Sequence, residues 1–520
     1  MTSVKMAIDL LAQSKMRVSI WPGADHEITW AEQLVMSTEP FQRLRRLRQI
    51  GLAYHGLPMA EHTRFSHSIG TVYWSVLLLE MSTSLNRPSP SEVGRTDLEA
   101  SLGADFSLEL LVRLFALLHD VALLPLGHTL RFQFKRVHGP DTFRVSMRQC
   151  LAAVLSGCEQ QLEHDGSTES TVLYNVLRRH IAVVECIAHV PRILGGSVPT
   201  DLLADVGSEV LQLLPVLTFV YDLVHGVYAA DIIDVCYRDL WAIGRDWKFP
   251  LTLAKAGAAL PVSFGAEAWP LGPARDNPNN IPLIYRYGLK ASNEGAFDAS
   301  ILTDLYRVHE SRYDVAEKGF YHPRKCAADA MLDKCLRTIT ERRAEGWEKL
   351  LDANALLELG DDEYLDRILN HCGKIGDFEF VSGLKTGVLF EPACRIDLVL
   401  RADLESTADE LFESPSRRTG FEEELARAVP SLSPTDIIVN VLPKNMQAKS
   451  VDTLVALPGK LPTRLETLSA RLGLPAGAST LAEQYSRLRR ITILVAHTHR
   501  HLSDQLAKAV EDLLEVRSSD

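Results

Sequence analysis

Two segments of this chain are apolar on nearly every side. They are "HSIGTVYWSVLLLEMSTSL" at 67–85 and "SLELLVRLFALLHDV" at 107–121. A helix without a polar face must be enclosed by other elements, so both predict central helices of a large helical core. Further helical texture lies around them. "PFQRLRRLRQIGLAYHGL" places Phe41, Leu44, Leu47 and Ile50 at three-residue intervals. "VLTFVYDLVHGVYAADIIDVCYRDLWAIG" reads as a long helix with a break near Gly226. With 520 residues the chain has room for two to four domains, and its first ~345 residues read as mostly helical.

Beyond ~345 the texture changes. "FEFVSGLKTGVLF", "CRIDLVLRADL" and "DIIVNVLP" read as strands. "TGFEEELARAV" and the stretch from "LAEQYSRLRR" to "VEDLLEV" read as helices. The expected fold class is therefore mainly α, with a helical region at 1–345 and a smaller C-terminal α+β region at 346–520. A Pro/Gly/Asn-rich stretch at 261–282 interrupts the helical half and reads as a site rim or an interface loop.

The second apolar segment ends in "ALLHDVALLPLGH", which takes His119 and Asp120 out of water together. Imidazole and carboxylate suit a divalent cation bound through nitrogen and oxygen. Consecutive helical residues point about 100° apart, so the two converge on one ion only at a helix end. Pro125 and Gly127 make such an end there. Further ligands must come from elsewhere. "EHTRFSHSIG" offers His62 and His67, and "AADIIDVCYRD" offers Asp231, Asp234 and Asp239, with Asp231 and Asp234 on one helix face. A single such His is more often a hydrogen-bonded core residue; three elements of this kind in one chain are more specific.

Taken together the motifs resemble the HD-domain phosphohydrolases, and within them the dNTP triphosphohydrolase branch of dGTPases and SAM-and-HD-domain enzymes. "FQRLRRLRQIGLAY", "HTRFSHSIG", "LLHDVALLPLGH", "DIIDVCYRD" and "RYDVAEKGFYHP" carry the likeness over roughly residues 17–340, with the core motifs at about 38–325. It implies an HD-domain helical core holding one divalent ion per subunit (Mg, Mn, Fe, Ni or Zn) on His67, His119, Asp120 and Asp231. It implies substrate contacts from Gln49, Arg64, His128, Asp239 and Arg312. His138 falls at the position of an acid or base, and His128 and Asp120 share the catalytic pocket. Arg64 and Arg312 also read as structural ion pairs, and His62 as a residue behind the ligands. The C-terminal region would serve oligomerisation or regulation. A homo-oligomer, a nucleotide activator and a role in antiviral dNTP depletion are further implications.

The departures from that pattern are specific. Ala122-Leu123 replaces Gly-His, so one pocket histidine is missing. Ile232 replaces Lys, Val235 and Phe320 replace Tyr, and Pro323 replaces Lys. Three functions stay open: a dNTP triphosphohydrolase, a phosphodiesterase or nuclease on another nucleotide, and a non-catalytic nucleotide sensor. A net charge of −12 gives no basic stripe for long nucleic acid. Eight scattered Cys without a C-x-x-C pair fit a reducing cytoplasm. No signal peptide is read at the N-terminus, and "TVYWSVLLLEM" is too short to span a bilayer, so no membrane partner is expected.

Overall fold

Helix α1, Arg64–Met81, begins where the Thr63 hydroxyl accepts the Ser66 N–H, and α2, Leu108–Leu118, begins where the Ser107 hydroxyl accepts that of Leu110. Such caps satisfy helix-end donors that would otherwise be stranded. Every residue of α2 except Glu109 is buried. Even Arg113 is enclosed, its guanidinium held by Glu32 and Glu109. The computed structural model describes residues 3–21, 24–88, 92–127, 130, 134, 142–163, 167–194, 212–263, 283–293, 296–341, 346–375, 379–444, 453–472 and 477–519.

The break expected near Gly226 is present. Helix α3, Leu214–His225, stops there, and α4, Ala230–Ala242, starts anew. A Cβ on Gly226 would stand 2.5 Å from the Asp222 carbonyl oxygen, so only glycine lets the chain leave α3 this closely. α1 packs on α2 and α4, and α3 packs on α2. The stretch Leu214–Ala242 is longer than the apolar run considered from the sequence, and by length and composition could cross a membrane. Here it is two helices, and 78% of its most apolar window lies inside the fold.

Strands occupy less of the chain. β1, Ser14–Trp21, and β2, Ala24–Thr29, form an antiparallel hairpin that the sequence reading did not include. β3, Gly257–Ser263, pairs antiparallel with β4, Leu283–Lys290. A three-stranded antiparallel sheet lies in the C-terminal part. It contains β5, Glu391–Asp397, and β6, Ile437–Val441, on either side of a later strand. β7, Leu454–Ala456, and β8, Thr463–Arg464, extend the sheet of β3 and β4 in the order β8-β7-β4-β3. The central strand of the three-stranded sheet is β9, Arg490–Val495. The fold is mainly α with a smaller α+β region, as expected.

Two C-terminal readings are corrected. The segment around 378–390 was expected as a strand, but Glu379–Thr386 is helical. Leu384 is fully buried in the hydrophobic cluster against helix α5, Pro323–Glu341. Gly383 lets the returning chain pass, since a Cβ there would lie 2.1 Å from the Val388 oxygen. Tertiary packing thus overrides the local apolar pattern. The stretch 481–516 was expected as helix, but it contains β9. Its "RITILV" is β-branched and buried on both faces, so it shows no alternation to mark it as a strand.

Packing crosses residue 345. One hydrophobic cluster joins Leu52, Leu126, Met331 and Leu336 to Leu350, Tyr364, Ile368 and Ile438. Helix α6, Asp361–Ile375, belongs to this layer and brings Asp361 behind the loop that follows Asp120.

Candidate metal centre

α2 ends at Leu118, and His119 is its C-cap, so His119 and Asp120 leave the helix at the point where neighbouring side chains can converge. The chain then runs through Leu126 and Gly127, both in the left-handed region with φ of 58° and 57°. Glycine adopts this at little cost, while leucine is strained. Asp361 offsets the strain: its buried carboxylate accepts the N–H groups of Leu126 (2.7 Å) and Arg48 (2.8 Å). Burial raises the Asp361 pKa despite these two bonds. Arg43, 1% exposed, holds the other side of the loop, donating to the Val121, Leu123 and Leu359 carbonyls.

His67 lies in the first turn of α1 and points at His119, with ring centroids 5.3 Å apart. Its Nδ1 donates to Asp234 Oδ2 at 2.8 Å. His119 Nδ1 donates to the Ala116 carbonyl at 2.7 Å. With Nδ1 so engaged, each ring turns its Nε2 toward the site, and both Nε2 atoms are buried without a hydrogen-bond partner. Asp120 Oδ2 lies 3.8 Å from His67 Nε2 and 3.5 Å from His119 Nε2. Asp231 Oδ1 lies 3.4 Å from His67 Nε2.

These atoms fit a divalent cation. Ligand atoms about 2.1 Å from one ion stand roughly 3–4 Å from each other, which these separations match. His67, His119 and Asp120 form a group of possible ligand atoms within 4.8 Å of one another. Asp231 brings a second carboxylate to the same place through its contact with His67. The electrostatics agree. Burial alone would lower the His67 pKa, but the Asp231 and Asp234 carboxylates outweigh it and push it up to about 9. Burial lowers that of His119, which stays neutral. Burial works to raise the Asp120 pKa, yet His119, Arg64 and His67 hold it well below the ordinary carboxylate range. The pocket is built to keep a positive charge, whether proton or ion.

Three supporting residues were not assigned a role from the sequence. Asp234 orients His67 and also accepts Arg238 Nε at 2.7 Å. The signal was its three-residue spacing from Asp231. His225, at the end of α3, contacts Asp231 Oδ2 through Nδ1 at 2.8 Å, and its ring lies 5.5 Å from that of His119. Its only sequence signal was nearness to the Gly226 break. Gly70 allows α4 to approach α1, because a Cβ there would fall 1.8 Å from Asp234 Oδ1. Groups that orient ligands typically change metal affinity 10- to 100-fold when lost. His225→Ala should thus weaken metal binding by about tenfold in calorimetry with little change in melting temperature. Gly70→Ala should push Asp234 off His67 and cost about tenfold or more in the same titration. Unchanged affinity in either variant would show that its contact does not support the site.

The remaining candidates divide. Arg64 NH1 donates to Asp120 Oδ2 at 2.8 Å and NH2 to the Gln49 carbonyl at 2.9 Å, so Arg64 makes a structural ion pair at the edge of the site. Gln49 is buried, with its Oε1 unpartnered. Asp239 is fully buried and pairs through Oδ1 with His62 Nε2 at 2.6 Å, which explains the first His of "HTRFSH". Arg312 lies on the helix Ala299–Val315 and acts electrostatically on Cys236, His309 and Tyr321. His128 and His138 lie outside the described residues. Leu123, in place of the usual pocket histidine, is half-buried and packs on the core.

No family model matches the chain. Curated relatives match it in part. The deoxynucleoside triphosphate triphosphohydrolase SAMHD1 of Xenopus laevis is 32% identical over 107 residues, 21% of this chain and 15% of that protein. An HD domain-containing protein of Acanthamoeba polyphaga mimivirus is 49% identical over 43 residues, 8% of this chain and 9% of its own. An uncharacterised protein of Methanocaldococcus jannaschii is 35% identical over 96 residues, 18% of this chain and 16% of its own. These likenesses support an HD-domain hydrolase family. The chain spans less than a quarter of each of these relatives, so no substrate follows from the likeness.

Proposed function

We propose that this protein is a metal-dependent phosphohydrolase that splits deoxynucleoside triphosphates into deoxynucleoside and inorganic triphosphate. The observation that carries the reading is the pair of buried, unpartnered Nε2 atoms of His67 and His119 facing the Asp120 carboxylate. A divalent ion held by His67, His119, Asp120 and Asp231 would supply Lewis acidity toward a phosphoryl oxygen. The residues themselves do the rest. Asp234, the Ala116 carbonyl and His225 fix the ligand orientations. Arg64 spans Asp120 and the wall of an adjoining cavity of about 400 Å³, so a phosphate entering that cavity meets a cation beside the metal group. In the proposed step a water oxygen bonds to the α-phosphorus, the bond from that phosphorus to O5′ breaks, and O5′ takes up a proton.

The test is to incubate the full chain with each dNTP, singly and in mixtures, with Mg²⁺ or Mn²⁺, and to measure tripolyphosphate. Mixtures are included because an activating nucleotide at a subunit interface belongs to the same reading. Release of tripolyphosphate from at least one dNTP is expected; none from any condition sinks the reading. Leu123 stands where the resemblance implies a pocket imidazole, and this departure favours a second reading: phosphodiester cleavage of another nucleotide. Hydrolysis of cyclic nucleotides or short oligonucleotides without action on dNTPs would select it.

A further inference from the structure

We propose that the C-terminal region forms one wall of the substrate pocket, and that the cavity between it and the helical core receives the nucleoside part of the nucleotide. The proposal rests on the nucleotide reading above and goes beyond it by assigning the pocket's chemistry and the residues that select the base. The cavity of about 400 Å³ is bounded on the core side by Gln49, Arg64 and Gly127, next to the metal group. On the far side it is bounded by Phe412, Arg418 and β6 with its following turn, Asn440–Pro443. Its size is in the range that encloses small organic ligands.

Three observations indicate what fits there. Two lining residues, Gln49 and Tyr321, each carry a side-chain oxygen that is buried without a hydrogen-bond partner, in residues only 5% and 6% exposed. Buried polar atoms are nearly always satisfied, so two such residues in one cavity wall favour a ligand with hydrogen-bonding groups that their side chains can turn to meet. Apolar and aromatic lining, including Phe320 and Phe412, surrounds them and suits a planar ring. Finally, the charges along α5 are neutralised locally. Lys325 pairs with Asp329, and Asp333 pairs with Arg418 at 2.8 Å. Among the described residues, this end of the cavity thus offers no unneutralised cluster of cations for a polyphosphate, whereas the Arg64 end adjoins the metal group. The triphosphate belongs at the Arg64 end and the nucleoside at the seam.

Asn440 is the residue placed to read the base. In β6, Ile437, Val439 and Val441 pack into the C-terminal core, whereas Ile438 packs with α5 in the cluster that crosses residue 345. Side chains alternate along a strand, so Asn440 shares the face of Ile438 toward the cavity. Its amide both donates and accepts, which lets it distinguish base edges.

The experiment is calorimetric binding of each of the four dNTPs and the four deoxynucleosides to the full chain, as wild type, Asn440→Ala and Phe412→Leu, with bound metal and melting temperature recorded. The wild type should bind at least one dNTP. Asn440→Ala should weaken it about tenfold or more and change the order of preference among bases, and Phe412→Leu should weaken all four, at unchanged metal content. Wild-type affinity and base order in both variants would overturn the proposal, as would a wild type that binds no dNTP and no deoxynucleoside. Because the readout is binding, nucleotide capture without tripolyphosphate release would refute the reaction and leave the pocket standing. Release with variant binding unchanged would refute the pocket alone.

Discussion

Replacing Asp120 with Asn is expected to strip the protein of its metal and of its hydrolytic activity together. Asp120 Oδ2 is the oxygen that faces both unpartnered imidazole nitrogens, so losing its charge removes the anionic centre of the ligand group. Metal assistance to phosphoryl chemistry is worth several kcal/mol, and each 1.4 kcal/mol is tenfold, so turnover should fall roughly a thousandfold or more. Asn is the better probe than Ala. The same oxygen accepts from buried Arg64, and Ala would leave that guanidinium unpaired at a cost of about 3–5 kcal/mol. Elemental analysis and tripolyphosphate release on the folded Asn variant decide the matter. A variant that keeps stoichiometric metal and wild-type turnover would show that the ion sits elsewhere.

Arg43→Ala should be the most destabilising single change outside the metal group. The guanidinium is 1% exposed and donates to the carbonyls of Val121, Leu123 and Leu359, tying the loop after Asp120 to the C-terminal region. Burial lowers its pKa to about 10, so it remains charged at neutral pH. Its removal leaves three carbonyls short of donors and opens a cavity, for a combined cost of about 3–5 kcal/mol. Lys should recover only part of this, because a single ammonium cannot reproduce a planar fork that reaches both sides at once. Thermal or urea unfolding of the two variants checks the ranking. An Ala variant that melts like the wild type would mean the loop is held by other contacts.

Much of the centre was legible because its chemistry sits in short motifs. His67, His119, Asp120 and Asp231 each stand in an otherwise apolar segment, and the structure brings them together. What the residues could not reveal were the partners that arrive by packing. Arg64 reads equally well as a phosphate contact until its bond to Asp120 is seen. His225 has no motif, and its importance comes only from the turn at Gly226 that swings α4 beside α3. The same holds for the fold. α1 and α2 announce themselves by being apolar all round, while β9, buried on both faces, looks like any apolar run. That Asn440 borders the same cavity as Gln49 follows from β6 packing on α5, a contact no local pattern encodes.

The Asp361 carboxylate that steadies strained Leu126 lies 235 residues further along the chain. That distance has a consequence for the order of events during synthesis. Domains commonly form as the chain emerges, N-terminal parts first, at about 5–20 residues per second. The helices that carry the candidate ligands can assemble early by this route, and Arg43 is already there to bind the Val121 and Leu123 carbonyls, but the left-handed turn at Leu126 lacks its carboxylate partner until α6 has been made. A nascent chain ending short of residue 361 would therefore carry the metal-binding side chains on an unfinished frame. The turn that follows Asp120 therefore gains its last support only once the C-terminal region has begun to form.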